Sequence, residues 1–220
     1  MKSLIIGATG GIGAALVAEL KTRGHDVTGL SRSRDGLDLT EEASIMRVLG
    51  ALEPSYDTII VATGALELDG RGPEKSLRSL EANALTAQFR LNAIGPALVL
   101  KHALRLLPRD RPARFAVLSA RVGSISDNAL GGWYSYRAAK AALNQLIHTA
   151  AIEIARSHPQ AVIALLHPGT VATGLTAKYA GNHAQVPPHD AARNLLTVLD
   201  ALGPAETGQF FDWQGQRIDW

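Results

Sequence analysis

Short apolar runs alternate along the chain with longer stretches of helical periodicity. The runs near residues 2–6, 26–30, 57–62, 114–119 and 161–166 are rich in Val, Ile, Leu and Phe and predict strands. Between them, apolar residues recur every three to four positions near 12–23, 41–51, 74–107, 133–157 and 189–202, and predict helices. The long stretch 74–107 is broken, with Gly95-Pro96 in its interior. Strict strand–helix alternation predicts an α/β chain with a doubly wound, open parallel sheet, helices on both faces, and one Rossmann-like domain over residues 1–220. The closing segment from Thr207 to Trp220 reads as a last strand and hairpin. Its aromatic residues are assigned to the core or to a subunit interface.

Composition narrows the possibilities without naming a function. A chain of 220 residues with 46% hydrophobic content supports one full core. Formal net charge is only +2, and the densest basic stretch, Arg105, Arg109, Arg111 and Arg114, surrounds a Pro-containing loop and reads as solvated, which disfavours nucleic acid as a partner. Cysteine is absent, so disulfides, thiol nucleophiles and Cys-based metal sites are excluded. Seven His residues form no recognisable ligand pattern, and no metal is expected. The apolar stretch from Leu91 to Leu107 is interrupted by Asn92, Pro96, Lys101, His102 and Arg105, and the first strand starts almost at Met1. No membrane association is expected, and a cytoplasmic location is.

Two patterns carry chemistry. Tyr136 and Lys140 lie four apart in an Ala-rich stretch with no Gly or Pro from Trp133 to His158, so a helix stacks them on one face. An ammonium held there can lower a phenol that ordinarily titrates near ~10, which would equip Tyr136 for proton transfer. Near the N-terminus, the apolar run Ser3 to Ile6 leads into Gly7-Ala8-Thr9-Gly10-Gly11-Ile12-Gly13 and then into helical periodicity. Strand, glycine-rich turn and helix in that order can bring backbone N–H groups and a helix N-terminus against a pyrophosphate.

A turn of spacing G-x-x-x-G-x-G (Gly7, Gly11, Gly13) combined with Tyr-x-x-x-Lys resembles the short-chain dehydrogenase/reductase family, from Leu4 to about Thr173. The likeness implies NAD(P) as cofactor, with Tyr136 as general acid and base and Lys140 tuning the phenol and binding ribose hydroxyls. It also implies that Asn92 supports a proton relay, although an Asn before Gly95-Pro96 can equally be a structural residue. The cofactor-binding positions implied are Gly7, Thr9, Gly10, Gly11, Ile12 and Gly13; Ala62 and Gly64; and, in the Pro-Gly loop, Pro168, Gly169, Val171 and Thr173. Asp38 and Leu39 resemble the family's adenine-facing pair. The second strand runs into Ser31-Arg32-Ser33-Arg34 with no carboxylate, and Arg32 with Ser31 suits a 2'-phosphate, so NADP(H) is favoured over NAD(H). A solvated surface Arg remains the alternative for Arg32.

The chain departs from the family pattern twice. Val61-Ala62-Thr63-Gly64 stands where Asn-Asn-Ala-Gly is usual, and Ala120 stands where a substrate-orienting Ser is usual. Ser124 and Ser119 are the candidate replacements; strand alternation aims Ser119 away from the face of position 120, which favours Ser124. The substrate loop falls within Val171 to Pro188, with Tyr179, Asn182 and His183 as candidate contacts. The expected function is carbonyl or alcohol oxidoreduction with NADP(H) by a homodimer or homotetramer built on helices near 85–107 and 133–157. The alternative is a dinucleotide-binding signalling or regulatory protein with little turnover.

Overall fold

Six parallel strands form one sheet in the order β2-β1-β3-β4-β5-β6. The computed structural model describes residues 1–179 and 184–220. In chain order the elements are β1 (Lys2–Ile6), α1 (Gly11–Thr22), β2 (Asp26–Leu30), the single turn α2 (Arg32–Asp35), α3 (Glu42–Gly50) and β3 (Thr58–Val61). Then come α4 (Ala82–Phe89), α5 (Gly95–Ala103), β4 (Ala113–Leu118), α6 (Tyr134–Ile154), β5 (Ala161–His167), α7 (Pro188–Ala201) and β6 (Phe210–Asp212). All five predicted strands are present, and β6 with the Phe211–Arg217 bridge forms the predicted closing hairpin.

β3 and β5 are buried along nearly their whole length, as a sheet covered on both faces requires. One core packs Leu4, Ile6, Val61, Phe115, Val117 and Leu165 beneath α3, α5 and α6. The other packs Ile5, Ile60, Leu118 and Leu166 beneath α1 and α7. Alternate residues of each strand thus serve opposite cores, the period-two consequence of the pleat.

The predicted helix over 74–107 begins only at Ala82. Residues ahead of it run as loop apart from one 3-10 turn, Leu77–Ser79, because Glu74 is drawn onto the N-terminus of α6, where its carboxylate accepts from the Ser135 N–H at 3.1 Å and from the Ser135 hydroxyl. Between α4 and α5 the helix widens into one π turn, Arg90–Ile94, which carries Asn92. Such local widening often accompanies function. Three of the four arginines of the basic stretch bond to the fold: Arg105 donates to the carbonyls of Leu49, Gly50 and Leu52, Arg111 pairs with Asp57, and Arg114 donates to Leu199 O. No described helix is long and apolar enough to cross a membrane, and no group of three potential metal ligands occurs among the described residues.

Candidate active site

Strand order reverses between β1 and β3, and in such sheets the crevice at the carboxyl ends of the strands is where ligands bind. A cleft of about 770 Å³ opens there. Its wall includes Ile12, Ala62, Gly64, Ser119, Tyr136 and Lys140, together with Pro168, Gly169, Val171 and Thr173. Residues spread along the chain are therefore brought together, although they come from four different connections between strands.

The β1–α1 turn is packed as tightly as its glycines suggest. A Cβ at Gly13 would stand 2.1 Å from Gly7 O, and Gly7 itself is held at φ +90°, so the helix begins directly against the turn. The first N–H groups of α1 have no intrahelical partner and carry the positive end of the helix dipole. Gly10 and Gly11 are exposed, and Thr173 of the Pro-Gly loop lies against Gly11, where a Cβ would meet its Cγ2 at 2.7 Å. The turn and the loop flank one space. Two buried polar atoms on the wall, Thr63 Oγ1 and His167 Nδ1, have no partner among the described residues. An exposed donor-rich turn beside orphaned polar atoms fits a dinucleotide.

Tyr136 and Lys140 sit on one face of α6, both buried. Lys140 Nζ donates to Leu118 O at 3.0 Å and lies 5.8 Å from the Tyr136 ring centroid. Burial raises the phenol above its ordinary range, and burial brings the ammonium down to about 8. The expected lowering of the phenol by Lys140 is therefore absent from this arrangement, because desolvation of the phenolate outweighs a cation that points to a strand carbonyl.

Asn92 is fully buried behind Gly64. Its Oδ1 accepts from Ala65 N at 3.1 Å, while Nδ2 donates to Ala65 O at 2.9 Å and to Gln88 Oε1 at 2.5 Å. A Cβ on Gly64 would lie 3.0 Å from Asn92 Oδ1 and 3.7 Å from Lys140 Nζ, so only glycine lets these side chains approach across the chain. The Asn thereby pins the turn that replaces the Asn-Asn-Ala-Gly segment.

Neither serine candidate has a hydroxyl free for a substrate. Ser119 lines the cleft beside Ala120, and its Oγ donates to Asn144 Oδ1 of α6 at 2.6 Å. Ser124 is buried, accepts from the Asp127 N–H at 3.2 Å and pairs with Ser126 Oγ; it does not line the cleft. The residues around Ser124 fold into a turn in which its oxygen accepts from the backbone and pairs with Ser126.

At the end of β2, Ser31 caps α2 by accepting from Arg34 N at 3.3 Å, and its own N–H donates to Asp35 Oδ2 at 2.7 Å. The strand end does have a carboxylate close by, delivered four residues later by a helical turn. Ser31 is thus occupied, while Arg32 is exposed and unpaired among the described residues. Asp38 is engaged by Thr40, whose hydroxyl and N–H hold its carboxyl below the usual range, and Leu39 is buried.

Aromatic residues frame the open side. Trp133, held at φ +53° after Gly131 and Gly132, meets Tyr136 edge-on at 6.3 Å and Tyr179 at 5.7 Å. Tyr179 and Lys178 both bond to Glu67 across the cleft mouth. Trp213 packs on the Pro168-Gly169 turn, within 3.0 Å of a Cβ at Gly169. Its placement on the cleft, rather than in the core or an interface, had no signal in the sequence beyond its position after a closing strand. Asn182 and His183 lie outside the described residues.

Comparison with known proteins follows the same line. A family model for short chain dehydrogenases matches residues 2–183. The 1-hydroxy-2-glutathionyl-2-methyl-3-butene dehydrogenase of Rhodococcus sp. strain AD45 is 30% identical over 232 residues, covering 99% of this chain and 98% of its own. The C-signal protein of Myxococcus xanthus is 38% identical over 133 residues, covering 60% of this chain and 76% of its own. Among solved structures, a short-chain dehydrogenase/reductase of Burkholderia multivorans with bound NADP superposes with a TM-score of 0.84 at 27% identity, covering 100% of this chain and 99% of that one. Carbonyl reductase Sniffer of Drosophila melanogaster has the same fold, with a TM-score of 0.82 at 20% identity, covering 100% and 99%.

Proposed function

The chain belongs to the short-chain dehydrogenase/reductase family, a family of oxidoreductases, and from that premise we propose that it interconverts a carbonyl and an alcohol with NADP(H), using Tyr136 as general acid and base. The observation that carries the reading is the buried pair of Tyr136 and Lys140 on one wall of the cleft, opposite the glycine turn and the Pro-Gly loop. NADPH, when bound, supplies the hydride. The turn Thr9 to Gly13, exposed at Thr9, Gly10 and Gly11, would hold its pyrophosphate, Arg32 its 2'-phosphate, and Pro168 to Thr173 its carboxamide end. A family relative solved with bound NADP supports that choice of cofactor.

A phenol raised by burial is protonated at neutral pH, so Tyr136 holds the proton that an oxygen gaining negative charge would take, as a weaker acid than an unshifted phenol. Lys140, brought down to about 8, exchanges its proton near physiological pH and can reload the phenol, while Asn92 fixes the turn beside it. Bonds to Asn144 and to the 124–127 turn withhold Ser119 and Ser124 from the substrate, so the oxygen would be oriented chiefly by Tyr136. Missing one preorganised donor costs about 10²–10³ in turnover, which predicts a slow enzyme. The Rhodococcus relative, by its name, oxidises a hydroxy compound, in keeping with a carbonyl–alcohol pair. Exposed Ile94, Leu146 and Ile152 on the helical face suit a homodimer or homotetramer, which sedimentation would test.

NADPH oxidation over a panel of ketones, aldehydes and quinones tests the proposal. Turnover should fall by about 10²–10⁴ in Tyr136→Phe with NADPH still bound. Ala120 and the likeness to the C-signal protein favour a second reading, a dinucleotide-binding regulatory protein. Tight NADPH binding without turnover on any member of the panel would select it.

A further inference from the structure

Arg137 is a guanidinium in the cleft with no carboxylate partner among the described residues. It is half-buried, lines the cleft, and follows Tyr136 in the first turns of α6. Its Nε donates to Gly132 O at 3.1 Å and its Nη1 to Val122 O at 3.4 Å. It forms no ion pair among the described residues. Arg121, the other arginine on the wall, is paired: its Nη2 lies 3.2 Å from Asp212 Oδ2 and its Nη1 lies 3.9 Å from Asp127 Oδ1. Asp127, the sole carboxylate among the residues lining the cleft, is therefore engaged, and Lys140 is turned to Leu118 O.

A guanidinium has five N–H donors in a fixed plane, and two are spent on carbonyls at the rim. The carbonyls orient the group without neutralising it. Leu66, Val122, Leu130, Trp133 and Leu175 line the same cleft, so water screens the charge less than it would on an open surface. Trp133 occupies a left-handed conformation that costs a side chain about 1–3 kcal/mol, strain of the kind found where a side chain is held for a purpose.

We propose that the substrate carries a carboxylate on an apolar body, with Arg137 binding the carboxylate and Trp133 flanking the body. The planar donor edge of Arg137 matches the two coplanar oxygens of a carboxylate, while Arg121 is already paired with Asp212 and Asp127 and Lys140 is turned to Leu118 O, so neither stands beside it as a second clamp for a phosphate dianion. The proposal rests on the carbonyl-reductase reading for the reacting group and adds the class of molecule that bears it. Arg137 is a specificity residue here; the proton chemistry stays with Tyr136.

The test uses the NADPH-loaded protein and two matched aldehydes, 4-carboxybenzaldehyde and methyl 4-formylbenzoate. Wild type should prefer the acid in kcat/KM by about ten- to a hundred-fold, the scale of a charge-assisted hydrogen bond. Arg137→Met should collapse the acid-to-ester ratio toward one, and Arg137→Lys, which keeps the charge, should restore part of it. A merely structural role would lower both aldehydes together and leave the ratio unmoved. In a second arm, tryptophan fluorescence of the NADP-loaded protein is titrated with benzoate and with benzamide. Benzoate should bind more tightly by a similar factor, in wild type and in Tyr136→Phe alike, and lose that advantage in Arg137→Met. Equal binding of the two by wild type, or an acid preference that survives in Arg137→Met, overturns the proposal. Absence of turnover with a benzoate preference intact would sink the Tyr136 reading and leave this one standing.

Discussion

Asn92 links the helix repertoire of the chain to the floor of its cleft, so removing its amide should affect both stability and turnover. In Asn92→Ala the N–H and C=O of Ala65 and the Oε1 of Gln88 each lose a partner. Three hydrogen bonds at about 0.5–1.5 kcal/mol each give a loss of about 1.5–4.5 kcal/mol, at the upper end where the orphaned groups stay dry. For a chain of this length each kcal/mol lowers Tm by about 2–4 °C, so a mid-range loss of about 3 kcal/mol corresponds to about 6–12 °C. The freed Ala65 lets Gly64, which lies against Lys140, shift its position. A displacement of about 1 Å at a reacting centre is worth about 10²-fold in rate, and that is the expected fall in kcat/KM. Differential scanning fluorimetry with and without NADPH, alongside kinetics well below the lowered Tm, measures both. Asn92→Asp should be no milder, because a carboxylate would face Ala65 O and Gln88 Oε1 with nothing to donate. A variant melting within about 2 °C of wild type, or one destabilised as expected yet fully active, would refute the reasoning.

Lys140 sets a pH dependence of opposite sign to the usual salt-bridged lysine. Its folded pKa of about 8 lies below the ordinary ~10.4, so between those values the unfolded chain binds more protons and folding stability gains with rising pH. Tyr136, raised above ~10, reverses the trend at still higher pH. Urea unfolding at pH 8 and pH 10 should show a smaller gain, or a larger loss, in Lys140→Met than in wild type; parallel behaviour would contradict the burial argument. For Arg32→Asp, the ratio of kcat/KM with NADPH to that with NADH should fall by at least about tenfold, since a charge-assisted contact is exchanged for repulsion; unchanged Michaelis constants for both cofactors would assign Arg32 to solvent. Ser119→Ala should destabilise the fold by leaving Asn144 Oδ1 without a donor, at about 1–3 kcal/mol, with turnover reduced less than in Tyr136→Phe. If Ser124→Ala cost about 10²-fold in turnover with no loss of Tm, the turn seen around Ser124 would not describe the working enzyme.

What could be read from the residues in order was local. The apolar runs, the Gly7-to-Gly13 turn and the i, i+4 spacing of Tyr136 and Lys140 are properties of a few consecutive residues, and period-two and period-3.6 patterning specify them before any tertiary contact forms. The alternation of strand and helix then left few topologies, and the parallel sheet with its crevice follows from the right-handed crossover rule.

The remaining features depended on which partners the side chains found once the turns and tertiary contacts had formed. Whether Ser124 is available was settled by Ser126 and Asp127, and whether the end of β2 carries a carboxylate by the turn that returns Asp35 to Ser31. The start of the helix at Ala82 instead of near residue 74 was set by Glu74 reaching Ser135, sixty-one positions on. Trp213 reaches the cleft only because β6 closes beside β5. The direction of the Tyr136 shift was decided by how much water the assembled cleft excludes and by where Lys140 points. The charge left on Arg137 was decided by which carboxylates Arg121 had already taken. Hydrogen-bond allegiance and desolvation are sums over neighbours brought together by folding, and spacing along the chain does not contain them.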